Sequence, residues 1–187
     1  MINIIKVKAT GNSRRWLKER DININFLSLS LTLIFNIIRR KKTITIAEIK
    51  LRIIPEAFSE YEPGSSILGI SEVSFINPKS KQGRKEFFYA VLHEFSHYIQ
   101  CEHDSLPEYM FADANTISHR EYLSNPTEKQ ARQLEKLADV LILLYNNIKR
   151  AHNQLQNLKK QPKSICEKNK KTIKSKTSCK RNKSCNY

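Results

Sequence analysis

Apolar and polar residues alternate along two stretches in the first third of the chain. In residues 22–38, every second position from 27 to 37 is leucine, phenylalanine or isoleucine, and serine, threonine and asparagine fill many positions between them. Residues 44–54 alternate in a similar way and are followed by Pro55. Alternation with a period of two is typical of a strand with one buried face. We therefore predict a strand over each stretch.

A helix remains an alternative for the first of these stretches. Leucine and isoleucine residues also recur there at intervals of three and four, which would place them on one face of a helix. These residues are Leu27, Leu31, Ile34 and Ile38. The strand is the preferred prediction, because the polar residues share the opposite parity.

Helical spacing of apolar residues characterises the second half of the chain. From residue 84 to about residue 100 they recur at intervals of three and four, which predicts a helix with one buried face. A second, long helix is predicted over residues 127–158. Asn125 and Pro126 are typical of a helix start, and leucines follow them at helical spacing.

Shorter elements complete the predicted fold. Residues 12–20 predict a short basic helix, and residues 72–77 predict a short strand that a proline ends. Residues 59–66 and 102–126 are polar and contain turn residues, so we expect loops there. Together the pattern predicts an α+β fold. A small N-terminal sheet or hairpin packs on the helix of residues 84–100 and on the long C-terminal helix.

Length and composition place most of the chain in one domain. With 187 residues, 40% of them hydrophobic and 27% charged, the chain can bury a core and is too apolar for wholesale disorder. The net charge of +15 is uneven, since residues 159–187 hold 11 of the 33 lysines and arginines and one acid, Glu167. We predict a folded domain over residues 1–158, with its core at about 44–148, and a disordered lysine-rich tail over residues 159–187.

The sequence gives no sign of export or of a membrane span. The four cysteines lie at positions 101, 166, 179 and 185 without CxxC spacing, which does not support a zinc ribbon and fits reduced thiols. Residues 22–38 are short and polar for a membrane helix, and the first 20 residues lack the apolar run of a signal peptide. We expect a cytoplasmic protein without a membrane span, and the oligomeric state stays open.

Residues 93–97 form an HExxH motif inside the predicted helix of residues 84–100. Residues four apart lie one turn apart on the same helix face, so the imidazoles of His93 and His97 can bind one Zn²⁺. Glu94 could act as general base on the zinc-bound water. The motif therefore indicates a zinc site with two histidine ligands and one catalytic carboxylate.

A catalytic zinc site needs a third protein ligand, and three residues are candidates. Glu135 is preferred, because Asp139 lies one turn beyond it and could accept the free N–H of a ligand histidine. His103 has the spacing of the extended metzincin motif, but Gln100 stands where that motif has the glycine that permits a sharp turn. Glu128, one heptad before Glu135, is the third candidate.

The HExxH motif followed by residues 135–139 (EKLAD) resembles the gluzincin class of zinc metallopeptidases. The order of a short strand, a polar turn, an HExxH helix and a later glutamate-bearing helix is similar to small ImmA/IrrE-like and phage-type metallopeptidases, over about residues 44–148. This resemblance implies a minimal zincin-like α+β domain. It also implies a Zn²⁺ cofactor and the cleavage of protein substrates, often a repressor.

We therefore expect a zinc metallopeptidase that hydrolyses peptide bonds of a protein or peptide substrate. Tyr98, Tyr109, His119 and Tyr122 are available to stabilise the oxyanion, and the sequence does not choose among them. The rival interpretation is a non-catalytic nucleic-acid-binding or structural protein with a relic or structural metal site. The basic tail and the RRKK segment support it, because such cations contact phosphates without sequence preference.

Overall fold

The described part of the chain combines a small sheet with helices. The computed structural model describes residues 3–38, 46–56, 58–72, 80–104 and 118–160. These ranges form four strands and six helices, which confirms the predicted α+β class. In chain order the elements are β1 (Ile4–Lys8), α1 (Gly11–Glu19), α2 (Ile24–Ile38), β2 (Ile46–Ile54), β3 (Glu60–Glu62), β4 (Ile67–Ser71), α3 (Lys81–Glu102), α4 (His119–Ser124), α5 (Pro126–Glu135) and α6 (Ala138–Lys160).

The chain divides into two compact units, Met1–Leu144 and Tyr145–Tyr187. The first unit contains the sheet, α1 to α5 and the first residues of α6. The described part of the second unit is the remainder of α6, residues 145–160. The predicted tail, residues 159–187, lies outside the described residues except for its first two.

Three parallel strands and one antiparallel edge strand form the sheet. The strand order is β1-β2-β4-β3, in which β2 runs parallel to β1 and β4, and β3 runs antiparallel to β4. Parallel pairing requires a crossover connection, which α1 and α2 provide between β1 and β2. A tight turn joins β3 to β4, and Gly64 there has a φ of +73°, which glycine adopts readily. The loop prediction for residues 59–66 is therefore wrong at β3.

The strand prediction for residues 22–38 is wrong, because Ile24–Ile38 forms helix α2. Leu27, Leu31 and Ile34 are buried on one face, as the helical alternative requires. None of the described helices is by itself long and apolar enough to cross a membrane; α1 and α2 reach that length and composition only as a pair bent by 95°.

The polar residues that suggested a strand are a stripe along α2 that covers the outer edge of β1. Ser28 Oγ accepts a hydrogen bond from the N–H of Val7, and Thr32 Oγ1 accepts one from the N–H of Ile5, both at 2.9 Å. Asn36 accepts from the N–H of Asn3 and donates to its carbonyl. Side chains of a helix thus take the place of a neighbouring strand, which satisfies backbone groups that would otherwise lack partners.

Helix α3 lies at the centre of the first unit and packs against β4 and α5. Its buried face includes Phe87, Phe88, Leu92 and Phe95, each 1% exposed or less. The hydroxyl of Ser80 caps the helix by accepting from the N–H of Gly83 at 2.9 Å. The predicted helix at residues 84–100 is therefore confirmed as part of α3, which carries the HExxH motif within the first unit.

The prediction of one long helix over residues 127–158 is wrong in one respect, because the structure has two helices there. A turn at Lys136 and Leu137 separates α5 from α6, and the N–H of Leu137 bonds the carbonyl of Leu134 at 3.0 Å. No glycine or proline marks this break in the sequence. The start signal at Asn125 and Pro126 is confirmed, since Asn125 caps α5.

The remaining predictions have mixed outcomes. The short helix at residues 12–20 and the strand at residues 44–54 are confirmed as α1 and β2. Strand β4 was not predicted, and the loop expected at residues 102–126 contains α4. Beyond Glu72, the strand expected at residues 72–77 lies outside the described residues.

The coverage of β1 predicts a measurable stability contribution from α2. Replacing Thr32 by valine keeps the side-chain shape but removes the acceptor of the buried Ile5 N–H. We expect a loss of about 1–3 kcal/mol in the free energy of unfolding, measured by urea denaturation. Thr10→Val is the matched control, because the exposed Thr10 side chain makes no capping bond. Equal stability of the two variants would contradict this account.

Candidate metal centre

The two histidines of the HExxH motif face one point beside α3. The Nε2 atoms of His93 and His97 are 3.1 Å apart, and their rings meet edge to face with centroids 4.8 Å apart. This geometry follows from their spacing of four residues on a buried helix. The predicted pair is therefore brought together by the structure.

The carboxylate that joins the two imidazoles belongs to Glu128, in the first turn of α5. Its Oε2 lies 3.2 Å from His93 Nε2, and its Oε1 lies 3.3 Å from His97 Nε2. One ligand atom from each of the three residues falls within 4.8 Å of the others, as the donors of a single metal ion would. The carboxylate is 2% exposed.

Glu135, the preferred third ligand, does not occupy that position. Its Oε1 accepts a hydrogen bond from His93 Nδ1 at 2.6 Å, on the side of the ring away from Glu128. Glu128 and Glu135 are seven residues apart, so both lie on the same face of α5 and contact the same histidine. The structure therefore places the two glutamates differently: Glu128 faces both Nε2 atoms, and Glu135 contacts Nδ1 of the His93 ring.

Asp139, expected to accept from a ligand histidine, and His103, a candidate third ligand, have other partners in the structure. Asp139 Oδ1 forms an ion pair with Lys85 Nζ at 2.8 Å, and its side chain is largely exposed. His103 caps the end of α3, and its ring contacts Phe35 and Tyr98 at centroid distances of 4.7 and 5.3 Å. Neither belongs to the His93, His97 and Glu128 group, because the side chain of each is held by other partners.

Glu94 is a buried carboxyl group next to this cluster, 4% exposed. Burial raises its pKa to about 7, the nearby imidazoles of His93 and His97 oppose the rise, and the carboxylates of Glu128 and Glu60 add to it. A carboxyl group that titrates near neutrality can both accept and release a proton at physiological pH. This is the property required of a general base.

The pKa values of the two groups that face each other move in opposite directions in the metal-free protein. Burial lowers the pKa of His93, but the carboxylates of Glu128 and Glu135 outweigh this and raise it to about 10. Burial raises the pKa of Glu128, but contacts with His93 and His97 and a hydrogen bond from Tyr122 hold it well below its usual range. His93 and Glu128 thus form a charged pair.

Tyr122, one of the oxyanion candidates, and Gln100, to which the sequence gave no role at the metal centre, complete the surroundings. Tyr122 of α4 hydrogen-bonds Glu128, and burial together with this bond raises the pKa of the phenol. Gln100 Oε1 lies 2.8 Å from His97 Nδ1. Gln100 follows His97 by three residues, a spacing at which helix side chains meet. This spacing is the sequence feature that could have predicted the contact between them. Among the other oxyanion candidates, Tyr109 lies outside the described residues.

The donor set fits a divalent metal ion such as zinc. Two imidazole nitrogens and one carboxylate oxygen leave a fourth position for water or substrate, as in catalytic zinc sites. Oε2 of Glu128 is buried and accepts no hydrogen bond of standard geometry from the described residues, although His93 Nε2 is close. Both rings have their Nδ1 atoms engaged by Glu135 and Gln100, which leaves the Nε2 atoms to face the shared point.

Comparisons with known proteins do not place the chain in a family. No protein-family model matches it, and no curated protein or solved structure is significantly similar to it.

The geometry predicts an order of zinc affinities among three variants. Glu128→Gln removes a direct ligand charge and should weaken zinc binding by about 100-fold or more, whereas Glu135→Gln keeps an acceptor for His93 and should cost about tenfold. Asp139→Asn is the control and should leave affinity unchanged. Competition with a chromophoric chelator measures all three, and a larger loss for Glu135→Gln than for Glu128→Gln would reverse the assignment.

Proposed function

We propose that this protein is a zinc-dependent peptidase in which His93, His97 and Glu128 hold the metal and Glu94 is the general base. One observation carries the proposal. Two helices bring two imidazoles and a carboxylate to a single buried point, directly beside a carboxyl group whose pKa lies near 7. The sequence indicated the HExxH half of this arrangement and offered Glu128 as one of three candidates for the other half.

The charge balance of the cluster supports a cation as its partner. In the described part of the chain, the carboxyl groups of Glu94, Glu128 and Glu135 lie around two imidazoles, and all five groups are at least partly buried. Buried negative charge is costly unless it is paired. When bound, zinc would offset much of this charge, polarise the scissile carbonyl and acidify the attacking water.

Glu94 would move the proton during hydrolysis. Its carboxylate takes a proton from the attacking water, whose oxygen bonds to the carbonyl carbon of the substrate. The same proton is then delivered to the nitrogen of the leaving amine as the C–N bond breaks. In the metal-free protein burial raises the pKa of Glu94 to about 7, so this carboxyl group gains and loses a proton readily near neutral pH.

Strand β3 is a candidate for contact with an extended peptide. It forms one edge of the sheet as the last strand in the order β1-β2-β4-β3. Glu60 on this strand acts electrostatically on Glu94, which indicates that the edge runs near the site. A substrate that pairs with an edge strand gains backbone hydrogen bonds. Residues 72–77, for which the sequence predicts a short strand, lie outside the described residues except for Glu72.

Glu94→Gln tests the proposed reaction. It removes the proton acceptor but none of the three ligands, so zinc affinity should stay within about threefold while turnover falls by about 10²–10⁴-fold. The full-length chain loaded with one equivalent of zinc is assayed on fluorescently labelled casein, and zinc content is measured by inductively coupled plasma mass spectrometry.

Glu86→Gln is the matched control, because it makes the same chemical change on α3, eight residues earlier. It should leave turnover unchanged. Cleavage that persists in Glu94→Gln would contradict the role of Glu94. A full-length chain that holds no zinc but binds duplex DNA with a strong salt dependence would instead support the rival function.

Zinc affinity should increase with pH. In the metal-free protein the pKa of His93 is about 10, so at pH 7 the ring carries a proton that zinc must displace. The fraction of deprotonated ring rises about tenfold per pH unit below that value, and apparent affinity should follow with a similar slope between pH 7 and pH 9. Chelator competition across this range measures the slope, and a flat profile would show that no proton is displaced.

A further inference from the structure

Gln100 is a completely buried polar side chain that connects the two helices of the candidate metal centre. It is 0% exposed, although it lies near the end of α3. Its Oε1 contacts His97 Nδ1 at 2.8 Å, and its Nε2 contacts the Thr127 carbonyl at 3.0 Å and Gln130 Oε1 at 2.9 Å. A buried amide with this many partners holds both its own position and theirs.

The partner on α5 fixes which way the amide points. A backbone carbonyl can only accept, so the Gln100 atom facing the Thr127 carbonyl must be the NH₂ group. The amide oxygen therefore faces His97, and His97 Nδ1 must carry the hydrogen that this oxygen accepts. In the neutral ring, the lone pair is then on Nε2, the atom that faces His93 and Glu128.

The same amide also ties His97 to the third ligand. Thr127, whose carbonyl receives the Gln100 NH₂ group, directly precedes Glu128 in the first turn of α5. Asn125 Oδ1 accepts hydrogen bonds from the backbone and hydroxyl groups of Thr127, so this turn is fixed from both sides.

We propose that Gln100 is the positioning residue of this centre: it sets the hydrogen on His97 Nδ1, so that Nε2 is presented to the metal. The inference rests on the proposed function for its metal. The two histidines are then oriented differently, because His93 donates to the carboxylate of Glu135 and His97 donates to a neutral amide.

Two substitutions separate positioning from simple packing. Gln100→Met keeps the length and most of the volume but removes both hydrogen-bonding functions. Gln100→Glu keeps an acceptor for His97 Nδ1 and removes the donor to Thr127. Both should lower the free energy of unfolding. If Gln100 positions His97, only Gln100→Met should weaken zinc binding, by about 10–100-fold, whereas Gln100→Glu stays within about threefold of the wild type.

The tautomer of His97 gives a second readout that needs no metal. Long-range ¹H–¹⁵N spectra of the metal-free full-length chain, at a pH where the ring is neutral, should show the Nδ1–H form in the wild type and in Gln100→Glu. Gln100→Met should lose that form. Gln82→Met is the matched control, because Gln82 is exposed on α3 and pairs only with Glu86 among the contacts described; it should change neither readout.

The outcomes separate this proposal from the function on which it rests. Wild-type zinc affinity and tautomer in Gln100→Met, or equal zinc losses in both Gln100 variants, would overturn the positioning role even if the wild type cleaves casein. A wild type that binds no zinc would overturn the proposed function, and the metal-free tautomer would still decide whether Gln100 orients His97.

Discussion

The packing of α5 against α3 is the contact on which the candidate metal centre depends. Helix α3 contributes the two imidazoles and α5 contributes the carboxylate, so neither helix forms the donor set alone. Ala131 of α5 is fully buried, and its small side chain allows the two helices to approach closely. The amide of Gln100 adds a polar link between the same helices. Packing and hydrogen bonding therefore fix the same relative position.

Electrostatics explains why such a cluster can exist in the core of a basic protein. The chain carries +15 overall, yet the buried groups around α3 and α5 include three carboxyls. Without a metal, the proton held by His93 and the raised pKa of Glu94 reduce the uncompensated negative charge. These adjustments follow from the cost of burying unpaired charge. The cluster is thus rich in carboxyl groups, which the positive net charge of the chain conceals.

The sequence was most informative where a single helix determines the geometry. His93 and His97 meet because they are four residues apart, and this needs no knowledge of the rest of the fold. Glu128 and Glu135 are seven residues apart on one helix face, so only the position of α5 along α3 decides which of them reaches both rings. Residues 28, 32 and 36 are all even-numbered and are spaced by four, so they fit one face of a strand and one face of a helix equally well. Only their contacts with the backbone of β1 show why they are polar. The break between α5 and α6 could not be predicted, because no glycine or proline occurs there.

Helix α2 covers the outer edge of β1, so the two edges of the sheet differ. Edge strands with free backbone groups are where separate molecules join into fibrillar aggregates. On β1, the stripe of Ser28, Thr32 and Asn36 already occupies N–H groups on the outer side, and Thr32 and Asn36 also donate to carbonyls there. A second molecule therefore finds few free backbone groups at this edge, and the exposed Lys6 and Lys8 of β1 add charge that further discourages self-association by strand exchange.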